Sequence, residues 1–136
     1  MKLVYIAGPY RAKSIYRIRE NIRHAQKAGD YIIKNYSHLN SNKECWYPVI
    51  PHKNTEYCDE LGSSIYFIEG TKELMRKCDA VVLVGNWQES EGSIGEALEA
   101  CTLGIPVYEN LTDFDTNNPI PKCMVEIVYK NWQKKQ

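Results

Sequence analysis

Residues 80–84 read Ala-Val-Val-Leu-Val, opened by Asp79 and closed by Gly85. Five consecutive apolar residues, rich in β-branched side chains, predict a strand buried inside a sheet. Such a strand needs neighbours, and the chain offers three. Residues 3–7 form a short β-rich run that stops at Gly8-Pro9; residues 45–50 form another, limited by Pro48 and Pro51; residues 105–108 form a third. Helical periodicity fills the gaps between them. Ile15, Ile18, Ile22, Ala25, Ala28 and Ile32 recur at three- and four-residue steps behind Ser14, a suitable N-cap, and predict a helix ending near Tyr36. Ile65, Ile68, Leu74, Met75 and Cys78 suggest a second, with Gly70 weakening its middle. Residues 93–102, closed by Gly104, and residues 121–132 complete the set. The segments 37–43, 85–91 and the Asp- and Asn-rich stretch after Tyr108 read as polar loops, and 52–62 as a loop with room for a helical turn. Strands alternating with helices imply βαβ units: an α/β fold with a mostly parallel sheet of four or five strands and helices on both faces. With no repeat or linker, residues 1–136 are expected to form one domain.

Charge narrows the function classes. The chain carries 17 basic and 17 acidic side chains and a formal net charge of +0. A protein gripping a nucleic-acid polymer normally carries a basic excess, because phosphate neutralisation drives that binding. The cations are nonetheless unevenly placed: Arg11, Lys13, Arg17, Arg19 and Arg23 crowd the first quarter. They are either a solvated helix face or a local patch suited to a small phosphorylated ligand. Cys45, Cys58, Cys78, Cys101 and Cys123 are odd in number and form no C-x-x-C pair. Neither structural zinc nor a disulfide framework is expected; reduced, mostly buried thiols in the cytoplasm are. No stretch approaches the ~20 apolar residues of a membrane span, and the opening run is too short for a signal peptide.

In open parallel sheets, ligands bind beyond the carboxyl ends of the strands. Two loops lie there. The first contains Gly8, Pro9, Tyr10 and Arg11: Gly8 lets a ligand approach the backbone, the following helix start favours an anion, and Arg11 can add a bidentate grip. The second reads Gly-Asn-Trp-Gln-Glu-Ser-Glu-Gly-Ser-Ile-Gly-Glu over residues 85–96. Trp87 offers a flat surface for stacking a base, while Ser90, Gly92 and Ser93 bring small side chains and backbone donors to a helix start. Glu96, in the first turn or two of that helix, can point into the cleft; Glu99 can share its face or project to solvent. His52 lies in the loop after Pro51, where it is either a surface residue or part of the pocket lining.

Y-I-A-G-P near the start, C-D-A-V-V-L-V in the middle, and W-x-x-S-x-G-x-x-x-E followed by L-G-I-P resemble the nucleoside 2-deoxyribosyltransferase-like superfamily over residues 2–107, in particular its small bacterial and phage branch. The resemblance implies a flavodoxin-like or Rossmann-like three-layer sandwich and cleavage of N-glycosidic bonds. It implies that Glu96 is the catalytic nucleophile, that Tyr5 stands beside it, and that Gly8, Pro9, Tyr10 and Arg11 hold phosphate or sugar. Transferases of the group carry Asp six residues before that Glu, whereas its deoxynucleoside monophosphate N-hydrolases carry a phosphate-contacting Ser; Ser90 stands there in this chain. One departure is Thr71, at a place often acidic in the group, with Glu69 out of register. Members pair as homodimers or larger homo-oligomers, and the same is implied here.

The chemistry so implied needs no metal or organic cofactor. A carboxylate below the sugar stabilises oxocarbenium character or bonds C1′, and water or a second base then releases the sugar. Helix-start donors and Arg11 would keep Glu96 ionised, and a hydrogen bond from Tyr5 would orient it. The alternative is a nucleotide-binding sensor or interaction module that has lost cleavage, which the Thr71 departure favours. A phosphoribohydrolase is disfavoured because P-G-G-x-G-T-x-x-E is absent.

Overall fold

The computed structural model describes residues 1–39 and 42–136; the turn expected over 37–43 falls partly on residues 40 and 41, outside the described residues. Along the chain come β1 (Lys2–Ala7), α1 (Ile15–Tyr36), β2 (Trp46–Val49), α2 (Pro51–Asn54), α3 (Ser64–Arg76), β3 (Ala80–Leu83), α4 (Glu91–Thr102), β4 (Val107–Tyr108), α5 (Leu111–Asp115) and α6 (Lys122–Lys135). Two 3-10 turns, Asp59–Leu61 and Trp87–Glu89, interrupt the loops. The four strands are ordered β2-β1-β3-β4, and every pair is parallel.

The alternation along β1 builds two cores. Tyr5 and Ala7 point to one side, packing with Met75 of α3, Ile94 and Ala97 of α4, and Val125 of α6. Val4 and Ile6 point to the other, against Ala25, Ala28 and Ile32 of α1 and Phe114 of α5. β3 divides likewise, with Val81 and Leu83 on the first side and Ala80 and Val82 on the second. A one-residue slip would exchange the two sets and eject Tyr5 from its layer, so the register is strongly specified. The result is the expected flavodoxin-like three-layer sandwich.

Helix limits follow local chemistry. Ser14 Oγ accepts from the Arg17 amide at 3.2 Å and starts α1, which buries Ile22, Ala25, Ala28 and Ile32. Pro48 is tolerated because β2 is an edge strand. The stretch after β4 departs from the expected loop. Asn110 Oδ1 caps α5 by accepting from the Asp113 amide at 2.8 Å, and Phe114 then packs edge-on against Tyr36, Trp46 and Tyr108. The cysteines also differ from expectation: all are free, but Cys78 alone is buried and Cys123 is exposed. No helix among the described residues is long and apolar enough to cross a membrane.

From β1 the chain crosses through α1 to β2 on one side; from β3 it crosses through α4 to β4 on the other. The connections diverge between β1 and β3, so a crevice opens at their carboxyl ends. The loops after these two strands therefore meet.

Candidate active site

A cavity of about 770 Å³ occupies that crevice, within the size range of small-molecule sites. Glu96, in the second turn of α4, lines it. Its Oε2 is buried without a hydrogen-bond partner. Burial raises its pKa to about 7, against smaller opposing effects of the Tyr5 hydroxyl and the Lys72 charge; the Glu99 charge raises it further. The ionisation expected from Arg11 and the helix start is thus corrected: desolvation dominates, and Glu96 titrates near neutrality.

Tyr5 projects from β1 to the same place. It is fully buried, and its hydroxyl has no partner in hydrogen-bonding geometry. Burial, then the neighbouring Glu96 charge, raises its pKa well above the usual phenol value, so the group is a neutral donor. Unpaired buried polar atoms cost roughly 1–3 kcal/mol each and are uncommon. Here a donor and an acceptor stand together at the lining of one cavity. Thr71 also lines it, but its hydroxyl donates to the Ile68 carbonyl at 3.0 Å. Glu99 does not share the site: it ion-pairs with Arg76 at 2.8 Å and ties α4 to α3.

Gly8, Pro9, Tyr10 and Arg11, in the loop after β1, also line the cavity. The need for glycine at position 8 is internal. A Cβ there would lie 2.6 Å from Val84 Cγ2 and 3.0 Å from the Val84 carbonyl oxygen, so close packing of the two strand ends, rather than a ligand, excludes a side chain. The Tyr10 hydroxyl donates to Asp59 Oδ1 at 2.7 Å and accepts from the Tyr57 amide at 2.8 Å. Arg11, Lys13 and Arg17 line the cavity and form no ion pair among the described residues. Arg23 instead pairs with Glu20 at 3.0 Å, on the solvated part of α1.

At the start of α4, Ser90 is the N-cap: its Oγ accepts from the Ser93 amide at 3.3 Å and from the Ser93 hydroxyl at 3.0 Å. The amides of Glu91 and Gly92, at the first two helical positions, have no intrahelical acceptor. Nothing lies within 4 Å of a Cβ built on Gly92, so the helix start is open to the cavity it lines.

Trp87 does not belong to this set. It is 2% exposed and packs in the core with Ile94, Ala97 and Val125, away from the cavity lining. The 3-10 turn rolls the ring beneath α4 and α6, where burial of a large apolar surface outweighs exposure at a cleft. The stacking surface expected from it is absent. Phe67 of α3 lines the cavity instead, as do Asp59, which the sequence did not single out, and His52, for which it left a surface place and the pocket lining both open. His52 is 5% exposed, with Nε2 3.0 Å from both the Gly8 and Pro9 carbonyl oxygens. Its only sequence signal was its place after Pro51 at a strand end.

Among the described residues no group of three His, Cys, Asp or Glu could hold a metal ion. No family model matches the chain, and no curated protein does. Among solved structures, the chain is similar to a 2-deoxyribosyltransferase from the psychrotolerant bacterium Bacillus psychrosaccharolyticus, at 19% identity and a TM-score of 0.51, over 77% of this chain and 69% of that one. The likeness is one of fold.

Proposed function

We propose that this chain cleaves the N-glycosidic bond of a nucleoside or nucleoside 5′-monophosphate, with Glu96 as nucleophile. The observation that carries the proposal is the pair of unpaired buried groups, Glu96 Oε2 and the Tyr5 hydroxyl, at one cavity. The fold shared with an enzyme described as a 2-deoxyribosyltransferase agrees with it. The ionised Glu96 oxygen bonds C1′ as the C1′–N bond breaks, and the bond's electrons leave with the base, which takes up a proton. Tyr5, the unpaired donor beside it, would donate to the carboxylate in the substrate complex and limit its rotamers. Water then adds to C1′ and gives up one proton to solvent, matching the proton taken up by the base, while the C1′–O bond to Glu96 breaks and its electrons return to the carboxylate. In transfer, a second base replaces water. Arg11, Ser90 and the amides at the α4 start would hold a 5′-phosphate by charge-assisted hydrogen bonds, which favours a monophosphate substrate and hydrolysis.

A second reading, a nucleotide sensor without cleavage, is supported by Thr71, whose hydroxyl serves its own helix and supplies no acid to a leaving base. Chromatography of a nucleoside and monophosphate panel incubated with the protein, with a spare base in half the tubes, separates these outcomes. Free base supports hydrolysis, a new nucleoside supports transfer, and binding without either product supports the sensor.

A further inference from the structure

We propose that His52 is a positioning residue for this site: by bridging the Gly8 and Pro9 carbonyls it sets the loop that presents Arg11 to a phosphate. The inference rests on the function proposed above. His52 belongs to α2, yet its ring reaches the loop after β1, where Nε2 lies 3.0 Å from each of the two carbonyl oxygens. Carbonyls only accept, so Nε2 carries the proton and donates to both. Nδ1 is then the lone-pair nitrogen, and it is buried with no partner. Burial lowers the pKa of the ring, despite the two carbonyls, which fits a neutral imidazole.

The consequence for the loop is geometric. A trans peptide is planar with its C=O and N–H on opposite sides, so fixing the Pro9 carbonyl toward His52 directs the Tyr10 amide the other way. Two adjacent carbonyls converging on one donor repel each other unless that proton lies between them. Further along, Asn21 Nδ2 donates to the Tyr10 carbonyl at 3.1 Å, and the Tyr10 hydroxyl donates to Asp59. These anchors hold the far part of the loop, and the Tyr10 and His52 rings meet edge-on with centroids 6.0 Å apart. His52 alone among them holds Gly8 and Pro9, the part next to β1 that leads through Tyr10 to Arg11.

The test compares kcat/KM for a nucleoside 5′-monophosphate and for its parent nucleoside in His52→Asn and His52→Gln variants. Asparagine places its amide too near the backbone to reach both carbonyls, whereas glutamine places an N–H near the position of Nε2. The monophosphate-to-nucleoside ratio is expected to fall at least ten-fold in His52→Asn, through KM, and to recover within about three-fold of the native value in His52→Gln. Equal losses on both substrates, or an unchanged ratio, would overturn the proposal. If the native protein cleaves neither, the proposed function fails by itself, and the same ratio is read from calorimetric dissociation constants. Binding of neither ligand overturns both readings. Independently of any variant, nitrogen NMR of the native protein at pH 7 should show His52 protonated on Nε2 alone; the opposite tautomer contradicts the bridge.

Discussion

Glu96 is held in a state that the fold resists. Its pKa of about 7 lies above the ordinary carboxylate value of 4.5, so the folded protein binds the proton more tightly than the unfolded chain. Stability contributed by the protonated form is complete below about pH 4.5 and is lost as pH rises through 7. Replacing Glu96 by Gln should therefore stabilise the protein at pH 8 by up to about 3 kcal/mol, the worth of such a shift, and change little at pH 4. Urea unfolding at the two pH values checks the sign. The same titration governs the chemistry, because the nucleophile must be ionised. Cleavage should rise about ten-fold per pH unit below 7 and level off above it; a rate that falls across that range would assign Glu96 a proton-donor role instead. Position 96 was legible in the sequence as a carboxylate early in a helix after a buried strand. Its raised pKa was not, because desolvation depends on Tyr5 and α3, brought close only by the sheet.

At the scale of elements, the strands and helices follow from patterns that leave few choices. The three- and four-residue spacing from Ile15 to Ile32, started by Ser14, predicted α1 closely. Trp87 was not legible in the same way. An aromatic residue directly after a central strand can stack on a ligand or fold back into the core, and only the direction of the 3-10 turn decides. Trp87→Ala should accordingly cost about 3–5 kcal/mol of stability, as for other buried aromatic deletions. The milder Trp87→Phe should leave KM for any substrate near the native value; a large rise in KM would return the residue to the site. Gly8→Ala should destabilise by about 1–3 kcal/mol, because the Val84 carbonyl opposing its Cβ is backbone and cannot rotate away. Thermal unfolding measures it. α5 was missed although Asn110 and Phe114 are both present, since a five-residue helix has too little length for periodicity to register.

For the whole molecule, the order β2-β1-β3-β4 is what makes a site from separate loops. It sets Tyr5 beside Glu96, some ninety residues later, and brings Arg11, Lys13 and Arg17 to the same cavity. The even charge balance conceals this local group of cations, which composition alone leaves indistinguishable from a solvated helix face. His52 was left open for a related reason: its partners, Gly8 and Pro9, are distant in sequence and are carbonyls, which no side-chain pattern reveals. The most direct measurement is the initial rate of free-base release from the best substrate at pH 8, by the native protein and by Glu96→Gln, both verified as folded. A loss of at least a thousand-fold in the variant is predicted. Release within ten-fold of the native rate would contradict attack by this carboxylate.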